Sequence, residues 1–146
     1  MVHALHEIHR LLAPNGILID LRPLADRWPV EVASAREIKE AGRVDDLPVG
    51  LEDDKAANEA MAHVAAEKLF VREQEEFFSF FYYWDSPKEM QAYIDDDWAD
   101  FVSVDEAVWK NIRSTWAVAD ADARLRVRVK MMIAHWKKLG DFAALR

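Results

Sequence analysis

The sequence predicts an α/β chain, or α+β in the alternative, with a mixed twisted sheet of about four to six strands and about four helices. Three observations predict it. An amphipathic helix, a tight turn and an apolar strand succeed one another over residues 2–23; two helix starts are written around Ser86 and Ser103; and strict two-residue alternation runs from Arg124 to Ala134. With 146 residues, 51% hydrophobic and 32% charged, the chain is expected to form one domain over 1–146, and that balance excludes collagen-like, mucin-like and disordered chains. A net charge of -8 has the wrong sign for neutralising phosphates, so neither nucleic acid nor an anionic membrane surface is an expected partner. The absence of cysteine excludes disulfides, thiolate zinc, iron–sulfur clusters and a thiol nucleophile, and fits a cytoplasmic location. No run approaches the ~20 apolar residues of a spanning helix, and the N-terminus has no leader-peptide pattern, so export is not expected.

The elements follow from spacing. Val2, Leu5, Ile8, Leu11 and Leu12 share one helical stripe, and Pro14, Asn15 and Gly16 stop that helix. Residues 17–23 form a short apolar strand from whose end Asp20 and Arg22 emerge. Residues 28–50 carry conflicting signals: Val30, Glu31 and Val32 alternate, whereas Ser34 with Glu37 forms a capping-box pattern and Gly42 could stop a helix. A hairpin from Val30 to about Leu47 is preferred, because Ala35 to Ala41 offers little apolar face. Asp53 to Leu69 reads as a helix aligned on Ala57, Met61, Val64, Ala65 and Lys68. In the strand 69–84, the polar stretch Arg72 to Glu76 is expected in solvent, and the aromatic run Phe77 to Trp84 is expected at the centre of the sheet. Ser86, Pro87 and Glu89 mark one helix start, Ser103 and Glu106 a second, and the two helices are expected to pack as a hairpin. In the last strand Leu125, Val127, Val129, Met131 and Ile133 share the buried face, with Arg124, Arg126, Arg128 and Lys130 opposite.

Residues 4–20, ALHEIHRLLAPNGILID, resemble class I S-adenosylmethionine-dependent methyltransferases, in which a helix ends in a Leu-x-Pro-Gly-Gly-x-Leu turn leading into the fifth strand. Asn15 stands where the first Gly is usual, a residue that tolerates the left-handed conformation such a turn needs. The resemblance covers residues 1–23, and the strands at 69–84 and 124–134 suit that family's final two. It implies likeness to the C-terminal half only. The family's cofactor site is a Gly-rich loop after the first strand and an acidic residue at the end of the second. Gly16, Gly42, Gly50 and Gly140 form no G-x-G, so no residue here inherits S-adenosylmethionine binding. Without that half the 17–22 strand would have an apolar edge to cover, either by the 30–47 hairpin or by a second copy in a homodimer; six Trp are consistent with a shared aromatic face, and equally with a core.

Candidate chemistry competes with plainer readings. His3, His6 and His9 with Glu7 miss the i, i+4 zinc spacing because position 10 is Arg, which leaves a solvated helix face. Asp95, Asp96, Asp97 and Asp100 fall inside a predicted helix, unable to wrap a Ca²⁺ ion. The basic row Arg124 to Lys130 could hold an anion or pair with Glu73, Glu75 and Glu76; residues 124–146 carry seven basic side chains against one acid, Asp141. Asp20 and Arg22 lie where ligands bind open α/β sheets, or tie down the turn. Tyr82, Tyr83, Trp84 and Asp85 could line a pocket for a small apolar ligand, or pack the core. No hydrolase, phosphate-loop or dinucleotide pattern is present.

The function expected is a non-catalytic, methyltransferase-like homodimer that binds a partner or small ligand and holds no cofactor or metal. The alternative is the substrate side of a methyltransferase completed by a partner chain that brings S-adenosylmethionine, with Asp20, Arg22, Tyr83 and Trp84 facing substrate.

Overall fold

A computed structural model describes residues 1–140, so the stretch holding Asp141 lies outside the described residues. In chain order the elements are α1 (Val2–Leu11), β1 (Ile17–Pro23), β2 (Pro29–Ala33), β3 (Ile38–Arg43), β4 (Asp45–Asp46), α2 (Pro48–Ala66), β5 (Phe70–Trp84), α3 (Pro87–Tyr93), a π-helical turn (Ile94–Trp98), β6 (Val102–Ser103), α4 (Glu106–Ala117) and β7 (Arg124–Lys138). This is the α/β class read from the sequence, with four α-helices and seven strands among the described residues. The main sheet runs β1-β7-β2-β3, with β5 also on β7; β4 and β6 form a separate pair. The described residues divide into two compact units, residues 1–22, 52–78 and 131–140, and residues 23–51 and 79–130, so β5 and β7 supply residues to each.

In the first unit α1 ends as its turn chemistry dictates. Asn15 takes the left-handed conformation at φ 61°, and the Gly16 amide bonds back to the Ala13 carbonyl at 2.8 Å. The Lys138 amide donates to the Gly16 carbonyl at 2.8 Å; with the Leu24 amide donating to the Lys130 carbonyl at 2.9 Å just beyond the strand's other end, this fixes β1 antiparallel to β7. The Leu139 amide bonds the Leu69 carbonyl, which sets β5 antiparallel to β7 as well. Phe70, Val64, Met132 and Ala134 are buried here, together with Leu5, Ala60, Met61 and Trp136. His9 is buried too, not solvated: it meets the Phe70 ring edge-on and pairs its Nε2 with the Leu139 carbonyl. α2 begins at Pro48, five residues before the expected start, because proline suits a first helical turn; Lys68 falls beyond its end.

The second unit is built on the expected hairpin. β2 pairs antiparallel with both β3 and the start of β7, and a bulge at Val30/Glu31 accompanies Gly42 at φ 153°. Val30, Val32, Ala41, Leu125, Val127 and Val129 are buried with Met90, Ile94, Trp109 and Ile112 of the helical segments. α3 carries the expected cap, the Glu89 amide donating to Ser86 Oγ at 3.2 Å and the Asp85 amide to the Glu89 carboxylate at 3.0 Å. α3 packs on α4. The expected Ser103 cap is corrected: Ser103 pairs with Asp45 in the small sheet, and Asp105 is the N-cap of α4.

A Cβ added to Gly42 would lie 2.5 Å from Val108 Cγ1, on top of the unfavourable φ. Gly42→Ala is expected to destabilise by about 2 kcal/mol, from overpacking and backbone strain together. Urea unfolding monitored by Trp fluorescence checks this; an unchanged midpoint would contradict it.

Two further expectations are corrected. Among the described residues β5 is an edge strand bonded only to β7, so Phe77, Phe78, Phe80 and Tyr83 are exposed instead of central. In β7 the buried parity changes from Leu125, Val127 and Val129 to Met132, Ala134, Trp136 and Lys138, which leaves Met131 and Ile133 half-buried. The alternation itself continues; what changes is which side of the strand is covered within each unit.

Candidate interaction face

Alternation along β1 divides its side chains into two sets with different surroundings. Leu18, Asp20 and Arg22 are half-buried, whereas Ile17, Ile19 and Leu21 are 52%, 52% and 54% exposed. Arg22 Nε donates to Asp20 Oδ1 at 2.9 Å and its Nη2 to Asn58 Oδ1 of α2 at 2.7 Å, so the pair ties β1 to that helix. Arg22 Nη1 is buried without a hydrogen-bond partner. Of the two readings of Asp20 and Arg22, the geometry favours the tie.

Ile17 and Ile19 of the other set line a shallow depression of about 300 Å³ together with Gln74, Glu76, Ile133 and His135. His135 Nε2 is shielded from solvent and makes no hydrogen bond; the Glu73 carboxylate stands 3.7 Å away. Three large aliphatic side chains left in water on adjacent same-side positions forfeit about 1 kcal/mol each relative to burial. An uninterrupted row of this kind marks a contact surface more often than scattered exposed residues do.

The edge of β1 completes the surface. Because the Gly16 carbonyl and the Leu24 amide bond to β7, even-numbered residues of β1 direct their backbone groups to β7. Ile17, Ile19 and Leu21 therefore turn their N–H and C=O groups outward, and among the described residues β7 is the only strand beside β1. The expected cover from the 30–47 hairpin is not made: β2 and β3 pair with each other, and β2 with β7.

The aromatic residues singled out by sequence belong to the second unit and separate into two groups. Tyr82 and Trp84 join Trp28, Tyr93 and Trp98 in a cluster with ring centroids 5.0–6.2 Å apart. Rings this close fill one another's space. Burial, with Tyr82 and Asp97 nearby, raises the Tyr93 pKa above its ordinary value. Tyr83 and Asp85 instead engage the basic row: the Arg124 guanidinium lies 5.1 Å from the Tyr83 ring centre and its Nε donates to Asp85 at 2.9 Å.

The rest of the basic row pairs differently from expectation. Glu31 of β2, 5% exposed, accepts from Arg126 Nε at 2.5 Å and from Arg128 Nε at 3.0 Å, and Lys130 lies 3.3 Å from Asp26. Burial pulls the Arg126 pKa down, but the Tyr83 hydroxyl and Glu31 outweigh it and hold it above the ordinary value. Glu73, Glu75 and Glu76 have His135, Arg72 and Gln74 as neighbours. Sequence reasoning passed over Glu31; its signal was a lone acid in an apolar strand, facing nothing local.

Among the described residues no cluster of three or more His, Asp or Glu could hold a metal, and no helix is long and apolar enough to cross a membrane. His6 and His63 both lie against Glu67, whose pKa is lowered chiefly by the hydrogen bond from His6. No protein-family model, curated protein or solved structure matches the chain.

Proposed function

We propose that the chain is a methyltransferase-related protein without the cofactor-binding half, non-catalytic and cytoplasmic, that acts as a homodimeric interaction module through β1. The observation that carries this reading is the coincidence, on one strand, of an outward backbone edge and the exposed row Ile17, Ile19 and Leu21. The relation to methyltransferases is supported by the α1, Pro14-Asn15-Gly16 and β1 unit, and by two long strands, β5 and β7, paired antiparallel. A non-catalytic role is supported by the occupations of the polar candidates: Asp20 and Arg22 hold each other and Asn58, and Tyr83 and Asp85 hold Arg124. A small-ligand role is less well supported, since the depression is shallow and largely aliphatic where a ligand site converges several polar groups.

Sedimentation velocity over a micromolar concentration series tests the reading. A species of about twice 16.9 kDa is expected, and a monomer throughout the series would overturn it. The alternative, a partner chain that brings S-adenosylmethionine, draws on the same uncovered strand. Calorimetric titration of the isolated chain with S-adenosylmethionine and S-adenosylhomocysteine is expected to be silent; saturable heat would favour the enzyme reading.

A further inference from the structure

We infer that two copies pair β1 to β1 in antiparallel fashion, in the one register that places Ile19 opposite Ile19 of the second copy; the inference rests on the homodimeric reading above and specifies its contact. Antiparallel strands exchange hydrogen bonds only between residues whose backbone groups point at one another. On the outer edge of β1 those residues are Ile17, Ile19 and Leu21, with Pro23 next in phase but lacking an N–H. A two-fold axis at Ile19 sets Ile17 opposite Leu21 on either side. Every outward N–H of the three then finds a carbonyl, about six bonds in all.

Neighbouring registers do worse. An axis at Leu21 sets Ile19 against Pro23 and loses two donors. An axis at Ile17 leaves Leu21 facing Ala13, beyond the strand. An axis at Asp20 keeps the bonding phase but opposes two carboxylates at the axis, and an axis at Leu18 leaves Leu21 facing Asn15, beyond the strand. With the axis at Ile19, Asp20 faces Leu18 and Arg22 faces Gly16, so no like charges meet and the bonds to Asn58 are kept. On the open face the six side chains form one apolar row in place of two. Of the other edge strands among the described residues, β5 is less suited: Glu73, Glu75 and Glu76 on its first half would bring acidic residues together, the usual device for blocking an edge.

The chain has no native cysteine, so a single introduced thiol reports on one contact. Residues opposite each other in a hydrogen-bonded antiparallel pair have Cα atoms about 5.5 Å apart, within the span a disulfide bridges. In mild oxidation at micromolar concentration Ile19→Cys loses two thiol hydrogens to the oxidant and is expected to form a covalent dimer at least tenfold faster than Phe78→Cys. Circular dichroism of both variants establishes that each is folded. A dimer by sedimentation in which Phe78→Cys cross-links as fast as Ile19→Cys, or faster, would overturn this register and leave the dimer standing. A monomeric native chain would overturn both.

Discussion

Ile19→Asp is expected to abolish the dimer, raising its dissociation constant by at least a hundredfold while leaving the fold of the chain intact. The side chain is half in water in the isolated chain, so aspartate there costs the monomer little. In the pair, two carboxylates would face each other at the axis with about 5.5 Å between Cα atoms, inside a row otherwise apolar. Removing two aliphatic contacts and opposing two buried charges both act in the same direction, and together exceed the ~2.7 kcal/mol that a hundredfold change represents. Sedimentation velocity of the variant beside the native chain checks the mass, and far-UV circular dichroism the fold. A variant that dimerises as tightly as the native chain would contradict the assignment of β1 as the contact.

Glu31→Ala is expected to cost about 3 kcal/mol of stability, the largest single-site effect within either unit. Glu31 is buried between two guanidinium groups, so its removal leaves Arg126, whose side chain is 14% exposed, with the Tyr83 hydroxyl as its remaining hydrogen-bond acceptor. Arg128 is 41% exposed and recovers solvation in water, so its pair with Glu31 contributes little to the loss. Urea unfolding at one protein concentration, with subunit association held constant, measures the change. A loss below 1 kcal/mol would show that water reaches Arg126 as readily as it reaches Arg128.

What the sequence made legible was local. Pro14-Asn15-Gly16 stops α1 because a left-handed residue and a glycine are what such a turn requires, and Ser86-Pro87-x-Glu89 caps α3 by hydrogen bonds reaching three or four residues. The hairpin could be preferred over a helix because Ala35 to Ala41 lacks a stripe to bury. What stayed illegible depends on partners distant in sequence. Glu31 meets Arg126 across 95 residues, and nothing near either one states that β2 lies beside β7. Apolar residues on both sides of a strand, as in the aromatic run of β5, usually mean two covered faces and so a central place in the sheet; the strand is instead an edge. In β7 a perfect alternation cannot reveal that the covered side changes after Val129, since either face reads the same from periodicity alone.

The candidate site illustrates the same limit. The apolar character of β1 and its need for cover were readable from residues 17–22, yet the division into a tied face and an open face required the position of Asn58. The charged and aromatic residues best suited to chemistry are occupied with one another. The surface proposed for contact is the plain aliphatic row beside them.

Amide hydrogen exchange along β1 tests this account most directly, because the two sets of amides in that strand make opposite demands. Leu18, Asp20 and Arg22 bond to β7 and are expected to exchange slowly in any folded state. Ile17, Ile19 and Leu21 point to the outer edge, and slow exchange at those three in the native chain, lost in Ile19→Asp, is the predicted result. Fast exchange at the three outward amides beside slow exchange at the three inward ones would mean that the edge of β1 is open to water in solution, and would contradict the account.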